Sequence, residues 1–264
     1  MTIIDTHAHI FPAKIETVAT KAIGTFYETP MSHNGSVSEL LESGKRAGVT
    51  NHLVFSTATT LKQVPKINEF IIEQVAAHSE FYGAGTMFIG YEDYRFELDN
   101  LRANGVHGVK FHPDFQKFCI DEEALDPIFA YMQETGMFLI THSGDTRYTY
   151  SHPARVASVA KRFPDMRVIA AHFGGWSCWD VGRRELNLPN VYFDTSSTLG
   201  FDGNENALRA FETFDNSHIF FGDDFPMWDH AEELERVRAL GLGDALLEQV
   251  LHGNFEAFIS NYLR

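Results

Sequence analysis

The stretch Asp5-Thr6-His7-Ala8-His9, set in the run Ile3 to Ile10, decides how this chain is read. Residues i and i+2 of a strand point to one face, so a strand over Ile3–His9 turns both imidazoles toward one point. Converging imidazoles suit a divalent metal. An isolated His-x-His occurs by chance, so its weight depends on the rest of the chain.

The rest of the chain is repetitive. Apolar or β-branched runs read as strands near Ile3–His9, Asn51–Ser56, Tyr82–Met87, Gly108–His112, Phe138–His142, Val168–His172, Val191–Thr195 and His218–Gly222. Between them lie amphipathic stretches of helical length: Val37 to Gly48, Pro65–His78, Asp93–Asn104, Glu122–Thr135, Pro153–Phe163, Trp179–Leu186, Asn204–Phe214 and Ala231–Leu240, then Ala245–Tyr262. Pro65 and Pro153 suit first helical turns, where a missing N–H costs nothing. Gly48, Gly105 and Gly136 suit helix ends. Eight strand–helix units in 264 residues, with no linker or low-complexity tract, predict one α/β domain over 1–264, a (β/α)8 TIM barrel. An open doubly wound sheet explains the alternation too, but does not need eight strands. The long segment Ile10 to Met31 reads as a loop over one end of the barrel.

Composition narrows the function. Hydrophobic residues make up 44% and charged residues 22%, ordinary values for a globular chain with a sizeable core. The net charge of −15, without a Lys/Arg-rich run, argues against a nucleic-acid partner. No apolar run approaches the roughly 20 residues of a membrane span, and Met1–Asp5 has no basic or long apolar signal region. Cys119 and Cys178 form no Cys-x-x-Cys pair, so free thiols in the cytoplasm are expected. A small-molecule substrate is expected as partner, with homodimerisation left open.

The 13 histidines carry the chemistry. His7, His9, His112, His142 and His172 fall at the C-terminal ends of predicted strands, the face where TIM barrels place their active sites. Asp5 should share the face of His7 and His9, as a partner to a ligand or to groups at the barrel floor. Lys110 and His112 form a second i, i+2 pair directed to the barrel interior or mouth. A buried lysine must be paired or modified. It can carry a carbamate bridging two ions, bind an anionic substrate, or pair with Asp5 or Asp194. Asp223 and Asp224 end the eighth strand, as acids able to bind metal or as a solvated turn. Arg147 is a candidate anion clamp, although a plain surface arginine is the simpler reading. Trp176 and Trp179 can wall the pocket, and Trp179 equally suits a helix start.

Five segments together resemble the amidohydrolase superfamily, in the branch that includes aminocarboxymuconate-semialdehyde decarboxylase and similar carboxy-lyases. They are Asp5-Thr6-His7-Ala8-His9-Ile10-Phe11-Pro12, Gly108-Val109-Lys110-Phe111-His112-Pro113, Thr141-His142-Ser143-Gly144, Ala171-His172-Phe173-Gly174-Gly175 and Gly222-Asp223-Asp224-Phe225-Pro226. They span almost the whole chain in the family's order. The resemblance implies a metal-dependent barrel, usually with zinc, one ion or two. By position His7, His9, His142 and Asp224 look like metal ligands. His172 looks like the sixth-strand histidine, a second-metal ligand or an acid/base. Lys110 resembles the lysine carbamylated in some binuclear relatives, and the decarboxylase lacks a lysine there. With His112, Arg147 and Trp176 it completes the set of second-metal or substrate-binding candidates.

The leading expectation is hydrolysis of a small carboxylate or amide. Water on the metal, deprotonated with help from Asp224, attacks carbon while His172 polarises the carbonyl or protonates the leaving group. Non-oxidative decarboxylation on the same residues is the alternative. The metal-dependent deoxyribonucleases share Asp-x-His-x-His, but the acidic charge and the absence of glutamate from Gly83–Met87 oppose that reading. A non-enzymatic binding protein would need a decayed ligand set, whereas every expected ligand type is present. No nucleophile elbow, Walker loop or dinucleotide-binding glycine motif occurs.

Overall fold

A computed structural model of the chain describes residues 2–262. Met1, Leu263 and Arg264, the ends of the expected 1–264 domain, lie outside the described residues. Eight parallel strands run in sequential order: β1 Ile4–His9, β2 Asn51–Phe55, β3 Phe81–Thr86, β4 Gly108–Phe111, β5 Phe138–Thr141, β6 Val168–Ala170, β7 Val191–Asp194 and β8 Ile219–Phe220. The seam between β8 and β1 is drawn together by Thr6 N–H donating to Phe221 O at 2.9 Å and Asp224 N–H to His7 O at 2.9 Å. His9 N–H reaches Phe225 O at 2.8 Å. The chain is a (β/α)8 TIM barrel.

The helices are α1 Glu16–Tyr27, α2 Val37–Ala47, α3 Val64–Ala77, α4 Tyr94–Ala103, α5 Pro113–Gln116, α6 Asp126–Glu134, α7 Pro153–Arg162, α8 Trp179–Glu185, α9 Thr198–Asp202, α10 Asn204–Thr213, α11 His230–Arg238, α12 Asp244–Glu248 and α13 Asn254–Ile259. Local signals set many ends. Ser36 caps α2 through Glu39 N–H, and Gly48 closes it at φ 83°. Pro153 opens α7. No helix among the described residues is long and apolar enough to cross a membrane.

Two apolar layers hold the barrel. The interior is filled by Ile4, Leu53, Phe55, Ala84, Phe138, Ile140, Ile169 and Phe220, with Phe255, Phe258 and Ile259 of α13 packed against them. The larger layer lies between sheet and helices, with Val54, Val109, Leu139 and Val168 alternating with the inward residues. This inner packing leaves the strands' C-terminal ends for polar side chains.

Three expectations change. The segment read as a loop, Ile10 to Met31, contains α1. Ile15 offers no side-chain cap, and the helix includes three threonines and a glycine, so its local signal is weak. Ala245–Tyr262 is not one helix: a π-helical turn over Gln249–Gly253 divides α12 from α13. Asp5 does not share the face of His7 and His9. The register slips between Asp5 and Ala8, where β1 spends one residue more than β2, so Ile4 enters the inner core and Asp5 faces outward.

Candidate active site

The strand ends converge as their spacing predicts. His7, His9, Lys110, His112, His142, His172 and Asp224 line one small cavity. Its other walls are Ile23, Tyr27 and Met31 from the α1 region, with Phe115, Pro226 and Met227. The segment Ile10 to Met31 therefore does cover the barrel mouth, but as a helix.

His7 and His9 come from β1, and Asp224 follows β8. Asp224 Oδ1 lies 3.4 Å from His7 Nε2 and 3.6 Å from His9 Nε2. Asp194 Oδ2 accepts His7 Nδ1–H at 2.8 Å, leaving the His7 Nε2 lone pair directed to this group. These three donors fit a divalent cation. A tetrahedral ion with bonds of about 2.0–2.2 Å holds its ligand atoms about 3.3–3.6 Å apart, too far for good hydrogen bonds. Burial, reinforced by Lys110, keeps both imidazoles well below their ordinary pKa, in the neutral form that ligates metal. Asp224 sits at φ 69°, its Oδ2 takes the Ser197 hydroxyl, and burial pushes its carboxyl up to about 7. Neither Asp223 nor Asp224 is a solvated turn residue: the former is 0% and the latter 13% exposed.

His142 lies in the same cavity but outside this tight trio. Its Nε2–H donates to Gly144 O at 2.7 Å, so Nδ1 accepts from His172 Nε2 at 3.0 Å. His172 adopts φ 61° just past β6, and its backbone N–H donates to Asp194 Oδ1 at 3.0 Å. One carboxylate thus orients His7 and anchors His172. Burial lowers the His172 imidazole to about 4.

Lys110 is fully buried, with Nζ 3.2 Å from His7 Nε2 and 4.5 Å from the Phe55 ring centre. Burial pushes its amine down to about 8, while Asp194 and Asp224 act on it through space. The expected ion-pair alternatives take other partners, Asp5 bonding His230 and Asp194 bonding His7. His112 stacks on His142 at 4.2 Å and bonds Tyr27 Oη at 2.9 Å.

Arg147 and Trp176 do not line the cavity. The Arg147 guanidinium binds Asp145 at 2.8 Å and 3.0 Å and donates to Phe26 O at 2.6 Å. It is engaged in holding α1. Trp176 packs edge-on to Tyr27 at 5.2 Å, one layer out. Trp179 starts α8.

Sequence reading missed Tyr27 as a cavity group and Ser196 and Ser197 as hydrogen-bond partners of His172 and Asp224, and saw Asp194 only as a partner for Lys110. Asp194 had a usable signal, an acid ending a β-branched and aromatic run, followed by Thr195-Ser196-Ser197. Tyr27 had none, because its place depends on α1.

Comparison with known proteins bears on the fold and the family. No curated protein matches the chain. An uncharacterized TIM-barrel protein from Bordetella bronchiseptica is similar in structure, with 18% identity, TM-score 0.83 and 100% of each chain covered. So is 5-carboxyvanillate decarboxylase from Sphingomonas paucimobilis, at 14% identity and TM-score 0.74, covering 98% of this chain and 99% of that one. Dihydroxybenzoic acid decarboxylase from Polaromonas sp. JS666, with bound manganese and 2-nitroresorcinol, matches at 13% identity and TM-score 0.74 over 99% of each chain. At these identities the likeness establishes the fold. The amidohydrolase family model matches residues 4–258, nearly the whole barrel from the first strand to the helix that closes its floor, and the chain belongs to that family.

Proposed function

We propose that the protein is a metal-dependent carboxy-lyase that removes carbon dioxide from a small planar carboxylic acid carrying a neighbouring hydroxyl. The observation that carries this reading is the position of Lys110. A buried cation stands beside the donor trio in a cavity whose histidines are held neutral. A carboxylate entering this buried pocket meets the cation and leaves water behind. Ile23, Tyr27, Met31, Phe115 and Met227 suit the faces of a flat ring. The decarboxylases among similar folds support the substrate class.

His7, His9 and Asp224 would hold the divalent ion, with His142 the next histidine in the cavity. When bound, the ion supplies a Lewis acid that positions the carboxylate and its neighbouring oxygen. Zinc is our expectation, and the manganese in one similar structure makes manganese the second choice. Lys110 orients the carboxylate. Asp224 would relay a proton to the carbon bearing the carboxylate, and the carbon–carbon bond would then break to release CO₂. His172, neutral and tied to His142, fixes the far wall and keeps Asp194 aligned with His7.

Hydrolysis is the second reading. Lys110, with its amine pushed down to about 8, is mainly a cation at pH 7 but about a tenth neutral, and the neutral form is the one that carbamylates and can bridge two ions. To test the proposal, metal-loaded protein is incubated with hydroxylated aromatic acids and with amides or lactones. CO₂ release from an acid supports the carboxy-lyase, whereas turnover of amides or lactones alone contradicts it.

A further inference from the structure

A second cluster lies on the outer side of the barrel wall, under α2 and α11. Its members are Asp5 of β1, His52 of β2, His230 of α11 and Asp223 after β8, all between 0% and 2% exposed. None belongs to the active-site cavity. Asp5 Oδ2 lies 3.3 Å from His230 Nε2 and 3.6 Å from His52 Nδ1. Asp223 Oδ2 lies 3.7 Å from His230 Nε2. His52 Nδ1 and both carboxylate oxygens of Asp223 have no hydrogen-bond partner. Buried polar atoms without partners are costly, and a buried carboxylate especially so.

We propose that Asp5, His52 and His230, with Asp223 beside them, bind a second divalent cation of the zinc type, independent of the active-site ion and beyond the carboxy-lyase function. Three observations support the cation. First, the two Asp5 Oδ2 spacings, 3.3 Å to His230 and 3.6 Å to His52, match the edges of a tetrahedral site, about 3.3–3.6 Å, although the shorter one also serves as a hydrogen bond, and Asp223 stands slightly farther out at 3.7 Å. Second, the remaining valences of the donors are already fixed. Asp5 Oδ1 accepts from the backbone N–H groups of His7 and Asp223, each at 2.9 Å, which frees Oδ2. His230 Nδ1 lies 2.9 Å from Ser43 Oγ, whose hydroxyl points to Asp229 Oδ2, so Nε2 is the ring nitrogen that faces Asp5 and Asp223 and would give up its proton to a bound ion. Third, two carboxylates and two imidazoles would give a divalent ion an electrically neutral cage, in place of the charge that Asp223 and Asp5 otherwise hold on His230, whose pKa they push up to about 9 against burial. Such a cage avoids the penalty of isolated buried charge.

The ion would join β1, β2, the segment after β8 and α11, at the seam that closes the barrel. The sequence accommodates this closeness. A Cβ on Gly44 of α2 would stand 2.7 Å from the His52 ring, so glycine lets the helix lie directly over the cluster. Because the site is enclosed, it should load during folding and exchange more slowly than the active-site ion.

The test uses the whole chain, produced and refolded with zinc alone as the probe. In a His7→Ala/His9→Ala variant we expect about one equivalent of zinc to survive dialysis against a chelator, and adding His52→Ala should bring retention close to zero. No retained zinc in the folded double variant overturns the proposal, as does unchanged retention after His52→Ala. Should that third substitution prevent folding, zinc-edge anomalous diffraction from wild-type crystals decides. A peak within bonding distance of Asp5, His52 and His230 supports the site, and its absence overturns it. Neither result depends on which reaction the barrel performs.

Discussion

Asp194 Oδ2 accepts the Nδ1–H of His7 at 2.8 Å, while its other oxygen holds the backbone N–H of His172 at 3.0 Å. The carboxylate thus sets the tautomer of one strand-end histidine and the position of another. Asp194→Asn removes the carboxylate that accepts His7 Nδ1–H and scrambles the tautomer. Metal affinity should fall about 10–100-fold without loss of fold. Competition with a chromophoric chelator measures this, and unchanged affinity would show that Asp194 has no such role.

His7→Ala and Asp224→Ala strike the donor trio itself. Both residues lie at the C-terminal face, where substitutions affect function more than stability. Turnover should fall by at least about 10²–10⁴-fold while circular dichroism and the melting transition persist. Full activity in either variant would displace the site from this cavity.

Arg147 holds α1 over the mouth through Phe26 O, and its guanidinium lies 4.6 Å from the Phe26 ring centre and 5.4 Å from that of Tyr27. Arg147→Ala should loosen the cover rather than the chemistry. KM is expected to rise about 5–10-fold with kcat changed by less than about twofold, as for a lid contact that organises binding. Limited proteolysis should also cut sooner between Ile10 and Met31. A fall in kcat at constant KM would instead place Arg147 in the reaction.

Asp114 offers a pH test away from the donor trio. Burial pushes its carboxyl up from 3.8 to about 6, with Ser151 donating to Oδ2. The folded chain therefore holds this proton more tightly than the unfolded chain. That contribution is complete below the unfolded pKa and is lost as pH rises through about 6. Asp114→Asn removes the charging penalty and keeps an acceptor for Ser151. It should match wild type near pH 4 and exceed it at pH 8 by on the order of 1–3 kcal/mol. Chemical denaturation at both pH values checks the difference, and a gain at pH 4 as large as at pH 8 would refute it.

The barrel was legible because its signals are local and periodic. Apolar runs such as Phe138–Thr141 are short, regularly spaced and bounded by turn residues, and each became a strand. The strand-end histidines were legible for the same reason, since position along a strand fixes the face. Three features depended on distant residues. The bulge that turns Asp5 outward is a mismatch between β1 and β2, which neither strand shows alone. The helix α1 lacks a side-chain cap and stands over a cavity assembled from several strand ends. The contacts of Arg147 with Asp145 and Phe26 required knowing that α1 crosses the mouth. Hydrolysis and decarboxylation ask for the same residue types, so the choice between them rests on the buried cation and the apolar side chains that line the cavity.

The carboxy-lyase reading is tested most directly by following the carboxyl carbon. Metal-loaded protein is given a hydroxylated aromatic acid labelled with ¹³C in its carboxyl group, in water enriched in ¹⁸O, with mass spectrometry of gas and product. The prediction is ¹³C-labelled CO₂ and an aromatic product with one new C–H bond and no ¹⁸O. No CO₂ from any such acid, with ¹⁸O appearing in the product of an amide or lactone, would contradict it.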